Sequence, residues 1–275
     1  MIRSDGARVR RFAALLNVAN VFERVARGVL YLAAGTLGYD DLQELAKREW
    51  QDFNCRDEEV LGGLMWWERD VYDRFLKASD RILIVGSGSG RDLIALVEAG
   101  HDVVGLEPSQ PSVTLARHHL RGRARSADLI EGAIEDTDLP GTFDVVIFSF
   151  YCYSYIPGTA RRIGALRKVR DHLNAGGRIV ISYRDLRAPF RNRAIWLTRA
   201  AARVTKSDWR PEAHDVLTRL SGQNGLLHFE HRFTPEELEH EAREAGLDVT
   251  YHRQSPKPTT AVLVVQPRKE GASDR

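Results

Sequence analysis

The sequence predicts an α/β fold: a seven-stranded, mostly parallel sheet that ends in an antiparallel hairpin and is preceded by a helical N-terminal extension. Three observations carry that expectation. Short β-branched runs alternate with helical stretches from Arg81 onward, as in a parallel sheet with helices on both faces. The first run, Ile82-Leu83-Ile84-Val85, has no polar alternation and stops at a cluster of glycines, as a strand buried on both faces does. The last two runs, 247–252 and 261–266, lie roughly eight residues apart, and a parallel crossover needs about a dozen or more. They must therefore pair antiparallel.

Taken in order, residues 1–78 read as helices. The stretch 12–37 is apolar, but Glu23, Arg24 and Arg27 interrupt it, and it shows no signal-peptide pattern. Its uncharged part, 28–39, falls far short of the ~20 residues that a spanning helix needs. It is expected to pack as a helical cap, with peripheral membrane contact as the sharper alternative. Leu42, Leu45, Ala46, Trp50 and Phe53 then follow a helical spacing behind Asp40, a plausible N-cap. Val60, Leu61 and Leu64 and then Trp67, Val71, Phe75 and Leu76 continue it.

Further strands are expected at 102–106, 144–150 and 178–183, with a weaker one at 129–131. Helices are expected at 92–99, 113–120, 161–173 and 235–245. The division is a helical cap (1–78), a ligand-binding domain (79–267) with an inserted lid (184–233, helical over 194–204), and a disordered polar tail (268–275).

Bulk composition narrows the function. Basic and acidic side chains nearly balance, 40 against 38, which argues against a nucleic-acid partner. The two cysteines, Cys55 and Cys152, form no metal-binding spacing. They point to a reducing cytoplasm rather than a disulfide scaffold. No integral membrane segment and no metal site is expected, and the acceptor should be a small molecule.

The motif with chemical content is Gly86-Ser87-Gly88-Ser89-Gly90, between the first strand and a helix. Glycines allow a sharp turn and close ligand approach. Glu107 ends the next strand about 20 residues on, the spacing of a ribose-binding carboxylate. A dinucleotide site would carry a third glycine where Arg91 stands, so a nucleoside without pyrophosphate fits better.

These segments, together with FDVVIFSF, LNAGGRIVISY and RFTPEELEHEAREAGLDV, resemble the class I S-adenosylmethionine-dependent methyltransferases over roughly residues 60–267. The resemblance implies a Rossmann-like domain that takes S-adenosyl-L-methionine as cofactor. It implies that Gly86, Gly88 and Gly90, with Ser87, line the methionine part. Glu107, beside Pro108, would hold both ribose hydroxyls. Ile134 and Glu135 would sit near adenine, and Phe148 and Ser149 would flank the sulfonium and the acceptor. The acid that many members carry two residues before the first glycine is replaced by Ile84, so Asp92 is the candidate for the methionine ammonium. The aspartate usual near adenine is replaced by Ala133.

Ligands in open α/β sheets lie beyond the carboxyl ends of the strands. The aromatic segment Phe150–Tyr155 follows a strand and is expected to wall the acceptor site, with Tyr151 and Tyr153 foremost. Tyr183 and Arg184, ending another strand, join them. Trp66 and Trp67 divide between packing and the site. His214 and His228 are candidate general bases, and the arginines of 184–233 are either an anion site or a solvated face. Two rival functions stand beside methyl transfer: an NAD-dependent oxidoreductase, and a methyltransferase-like domain that binds without turnover.

Overall fold

A computed structural model of the protein describes residues 5–54, 60, 62–186, 194–219, 227–254 and 261–268. Three helices come first: α1 (Asp5–Ala34), α2 (Tyr39–Asn54) and α3 (Trp66–Phe75). The chain then alternates through β1 (Arg81–Val85), α4 (Arg91–Glu98), β2 (Asp102–Glu107), α5 (Gln110–Gly122), β3 (Asp128–Glu131) and β4 (Phe143–Phe148). A 3₁₀ turn (Cys152–Tyr155), α6 (Thr159–Asp171) and β5 (Leu173–Tyr183) follow. The remaining elements are α7 (Ile195–Thr205), β6 (Asp215–Arg219), β7 (Leu227–His231), α8 (Pro235–Glu244), β8 (Leu247–Gln254) and β9 (Ala261–Pro267).

The main sheet has seven strands in the order β3-β2-β1-β4-β5-β9-β8. β1 to β5 run parallel, while β9 is antiparallel to both β5 and β8. This is the expected hairpin. Strand alternation divides the core into two faces. Leu83 and Val85 of β1 join Leu263 and Val265 of β9 on one side. Ile82 and Ile84 join Val262 and Val264 on the other, under α3 and α4. Ile84, where an acid was a family alternative, is fully buried in that second face.

Local chemistry explains the helix starts. Thr234 caps α8 by accepting from the Glu237 amide at 3.2 Å, with Pro235 at the first helical position. Ser109 caps α5 in the same way. β4 stops at Phe148 rather than running to 150, because Phe150 and Tyr151 take left-handed φ of 40° and 66°. Such backbone in bulky residues is uncommon and turns the chain sharply out of the sheet.

Two regions depart from the expected plan. The insertion carries the expected helix, α7, but also an antiparallel pair, β6–β7, that hydrophobic runs did not announce. This pair and α7 pack with α1 and α2 around Tyr31, Ala34, Leu42, Ile195, Trp209, Leu217 and Phe229. α1, α2 and the insertion are thus one cap with its own core, whereas α3, expected within that cap, packs on the sheet. The crossing is tight: a Cβ on Gly35 would collide with the Thr198 carbonyl and with Ala201. Ser207 Oγ donates to the Leu37 carbonyl (2.6 Å), and the Tyr39 amide donates to Asp208 (2.9 Å). α1 packs only by its last turns, and residues 6–27 are exposed. No described helix is long and apolar enough to cross a membrane. Of the 268–275 tail only Arg268 lies within the described residues, paired with Asp248.

Candidate functional site

A cavity of about 180 Å³ opens at the carboxyl ends of β1, β2 and β4. One water occupies about 10–15 Å³ on such a measure, so the space suits an organic ligand. Its floor is the glycine loop. The Gly86 and Ser87 amides both donate to the Leu106 carbonyl, at 2.9 and 3.1 Å, which pins the loop across β2. Gly86 has φ +73°, and a Cβ there would meet Cys152 at 2.7 Å. Only glycine lets the 3₁₀ turn close over the loop.

Glu107 sits at the end of β2 with its carboxylate in the cavity wall. It accepts from the Gly88 and Ser109 amides, both at 3.0 Å. Burial pushes its pKa up to about 7, against the pull of those two amides. Asp92 also lines the cavity. Its Oδ2 accepts from Ser149 (2.7 Å) and Tyr72 (3.1 Å), and its Oδ1 pairs with Arg91 (2.6 Å). Arg91 is clamped on the other side by Glu68 of α3. Burial and the nearby Asp92 charge lift Glu68 to about 7.

Nine of the expected cofactor residues line the cavity together: Gly86, Ser87, Gly88, Asp92, Glu107, Pro108, Ile134, Glu135 and Ser149. Gly90 does not. It begins α4 with φ +98°, and a Cβ there would meet Ala116 at 3.2 Å, so it serves helix packing. Phe148 is fully buried in the core. Glu135 lines the wall, but its carboxylate already accepts from the Tyr39 hydroxyl of α2.

Tyr151, Tyr153, Tyr183 and His214, all expected to act on the acceptor, lie outside the cavity lining. Tyr153 is fully buried and donates to Glu241 (2.7 Å), which also holds Arg162. Tyr183 is fully buried, with its hydroxyl 2.6 Å from His252 Nε2. Tyr151 stacks on Trp67 at 6.0 Å, with the Arg184 guanidinium 4.5 Å from its ring centre. His214 pairs with Glu237 of α8 at 2.9 Å. Strand parity explains Tyr183, which shares a face with Ile179 and Ile181.

The aromatic segment does wall the cavity, through Phe150, Cys152 and Tyr155. Cys152 is a half-buried thiol donating to the Val85 carbonyl at 3.1 Å, and desolvation raises its pKa well above normal. The roof is α2, and sequence reasoning missed it: Gln43, Ala46, Lys47 and Trp50 face the cavity. Their i, i+3, i+4, i+7 spacing, with polar and aromatic types mixed, was the available signal. Trp50 packs on Tyr155 (4.9 Å) and edge-on to Phe150 (6.4 Å). Of the two tryptophans expected near the site, Trp67 is buried and Trp66 half-exposed, and neither lines the cavity. His228 is held between Glu49 (2.6 Å) and Glu230 (3.5 Å). Burial alone would depress its pKa, but bonds to Glu230 and Glu49 prevail and lift it to about 9. Arg199 donates to the Pro211 carbonyl, while Arg187, Arg191 and Arg193 lie outside the described residues.

The donor set can be tested against the expected cofactor. A nucleoside with an amino-acid tail needs a carboxylate for its vicinal diol, an apolar slot for its base and free polar groups for its tail. Glu107 supplies the first, and Leu106, Ala133 and Ile134 supply the second. Ser87 Oγ is buried in the wall without a hydrogen-bond partner among the described residues, an orphan that a ligand would satisfy. The residues fit. A pyrophosphate fits poorly, because Asp92 and Glu107 both face the cavity and Arg91 is neutralised by Glu68 and Asp92.

Residues 83–179 match the family model described as a methyltransferase domain. The cypemycin N-terminal methyltransferase of Streptomyces sp is 31% identical over 104 residues, which cover 38% of this chain and 42% of that protein. An uncharacterized methyltransferase of Geobacillus kaustophilus (strain HTA426) is 34% identical over 131 residues, 44% of this chain and 59% of that one. The chain thus spans about half the length of the curated relatives it matches. An S-adenosylmethionine-dependent methyltransferase from Methanosarcina mazei shares the fold, with a TM-score of 0.59 at 19% identity, covering 76% of this chain and all of that one (100%). The glycine loop, the acid closing β2, the strand order and the matched residues converge: the chain carries a methyltransferase domain over residues 83–179 and shares the fold of S-adenosylmethionine-dependent methyltransferases.

Proposed function

We propose that the protein transfers the methyl group of S-adenosylmethionine to a small-molecule acceptor bound under the α2 roof. The observation that carries this is the single cavity joining the glycine loop and Glu107 to an aromatic wall of Trp50, Phe150 and Tyr155. When bound, the cofactor supplies a methyl group already activated on a sulfonium.

The chain's own residues then have three tasks. Glu107 holds the ribose through its ionised carboxylate, and the loop amides with Ser87 hold the tail. Asp92, fixed by Tyr72 and Ser149, offers negative charge to the ammonium. The aromatic wall excludes water and orients the acceptor, and alignment alone can supply much of the rate acceleration. The apolar, aromatic character of that wall supports a small organic acceptor. The cap, made of α1, α2 and the insertion, acts as the lid that selects it.

Isothermal titration with S-adenosylhomocysteine tests the reading, with NAD as control. The expected result is micromolar or tighter binding that Glu107→Ala abolishes, and none for NAD. No S-adenosylhomocysteine binding by folded protein would overturn it. Binding without methylation of any acceptor in a broad screen would leave a domain that binds without turnover.

A further inference from the structure

Among the described residues, the exposed part of α1 has no packing partner in its own chain. Residues 6–27 are exposed along the whole helix, about 33 Å at 1.5 Å per residue. Leu15, Val18, Phe22, Val25, Val29 and Leu32 follow one another at alternating spacings of three and four. That is a 3.5-residue repeat, the a/d seam of a coiled coil. All six are exposed, from 44% at Leu32 to 70% at Phe22.

The seam points away from the domain. In the same two turns that leave Val29 and Leu32 exposed, Tyr31 and Ala34 on the opposite side are buried against the cap. The positions flanking the seam are apolar or small: Phe12, Ala14, Ala19, Val21 and Ala26. Arg10, Glu23, Arg24 and Arg27 fall on the back of the helix, while Arg8 and Arg11 stand on the seam line N-terminal to Leu15 and mark where its apolar part begins. Small flanks let a second helix approach closely, and the polar back stays in water.

Size supports a protein partner. Seam and flanks expose eight large apolar side chains. At on the order of 100 Å² each, they total about 800 Å², as much as one side of a standard stable interface buries. The largest apolar patch on a typical monomer is about 300–600 Å².

We propose that α1 pairs along this seam with α1 of a second copy of the chain, giving a two-fold dimer held by a coiled coil. A two-fold axis makes the seam its own complement. The proposal is independent of the methyl-transfer reading, since α1 contributes nothing to the cavity wall.

Sedimentation velocity of the full chain at micromolar concentration tests it. The wild type should sediment with twice the chain mass. Val18→Glu/Val25→Glu should halve that mass while leaving the far-UV spectrum and S-adenosylhomocysteine binding unchanged, because both positions are exposed in the single chain. A wild type that is monomeric throughout, or a dimer that the double substitution leaves intact, overturns the proposal. So does a monomer that co-sediments with phosphatidylserine-containing vesicles and loses this in the variant, which would give the seam to a membrane surface.

Discussion

Two buried ionisable residues show how position sets chemistry. Glu107 has a pKa raised to about 7 because burial penalises its charge. Ribose hydroxyls donate best to the ionised form. S-adenosylhomocysteine binding should therefore weaken as pH falls below about 7, by at most about tenfold per unit. Glu107→Gln should bind more weakly and show a flat profile, and titration calorimetry across pH 5.5–8.5 would check both.

His231 is the opposite case. It is fully buried in β7, with Nδ1 2.7 Å from Asp215 and Nε2 3.1 Å from Glu237. Burial would lower its pKa, but the two carboxylates prevail and raise it from 6.5 to about 9. A raised histidine stabilises fully below its unfolded pKa and loses that contribution as pH rises through its folded one. Wild-type stability should decline between about pH 6.5 and 9, by on the order of 3 kcal/mol from this residue. Urea unfolding of His231→Gln should show a shallower decline in that window. An equal slope would exclude the imidazolium as the cause.

At the scale of elements, packing between β2 and its neighbours governs the site. A Cβ on Gly105 would meet Leu93 at 2.6 Å, Leu129 at 2.7 Å and Ser87 Oγ at 2.9 Å. Gly105→Ala should cost about 1–3 kcal/mol by overpacking, and should weaken S-adenosylhomocysteine binding by pushing Ser87. Denaturant titration and calorimetry separate the two effects. Arg91 ties α3 to α4 through Glu68 and Asp92. Arg91→Ala leaves two buried carboxylates facing each other and should cost about 3 kcal/mol, read from the urea midpoint. The roof helix α2 predicts a spectroscopic signal: S-adenosylhomocysteine should change tryptophan fluorescence, and Trp50→Phe should remove most of that change. A response that persists in the variant would place the reporter elsewhere.

At the scale of the molecule, the cavity lies where two cores meet. The sheet supplies the floor, and a cap assembled from the N-terminal helices and the distant insertion supplies the roof. Ligand bridging the two should slow amide hydrogen exchange in α2 and in the Cys152–Tyr155 turn together, whereas a ligand held by the sheet alone would protect only the glycine loop.

The sequence by itself determined the sheet, the terminal hairpin, the glycine loop and Glu107. Each rests on local information: β-branched runs, a connection too short for a crossover, a turn only glycine can make, and a fixed spacing from loop to acid. Tertiary structure decided the rest. Tyr151, Tyr153 and Tyr183 end or follow strands as acceptor residues should, yet parity and the turn after β4 send them into packing. Trp50 and Lys47 reach the cavity only because α2 is folded over it by an insertion more than 140 residues further along the chain. Local spacing fixes which way a strand or loop faces. Contacts between distant segments fix what it faces, and no local pattern encodes them.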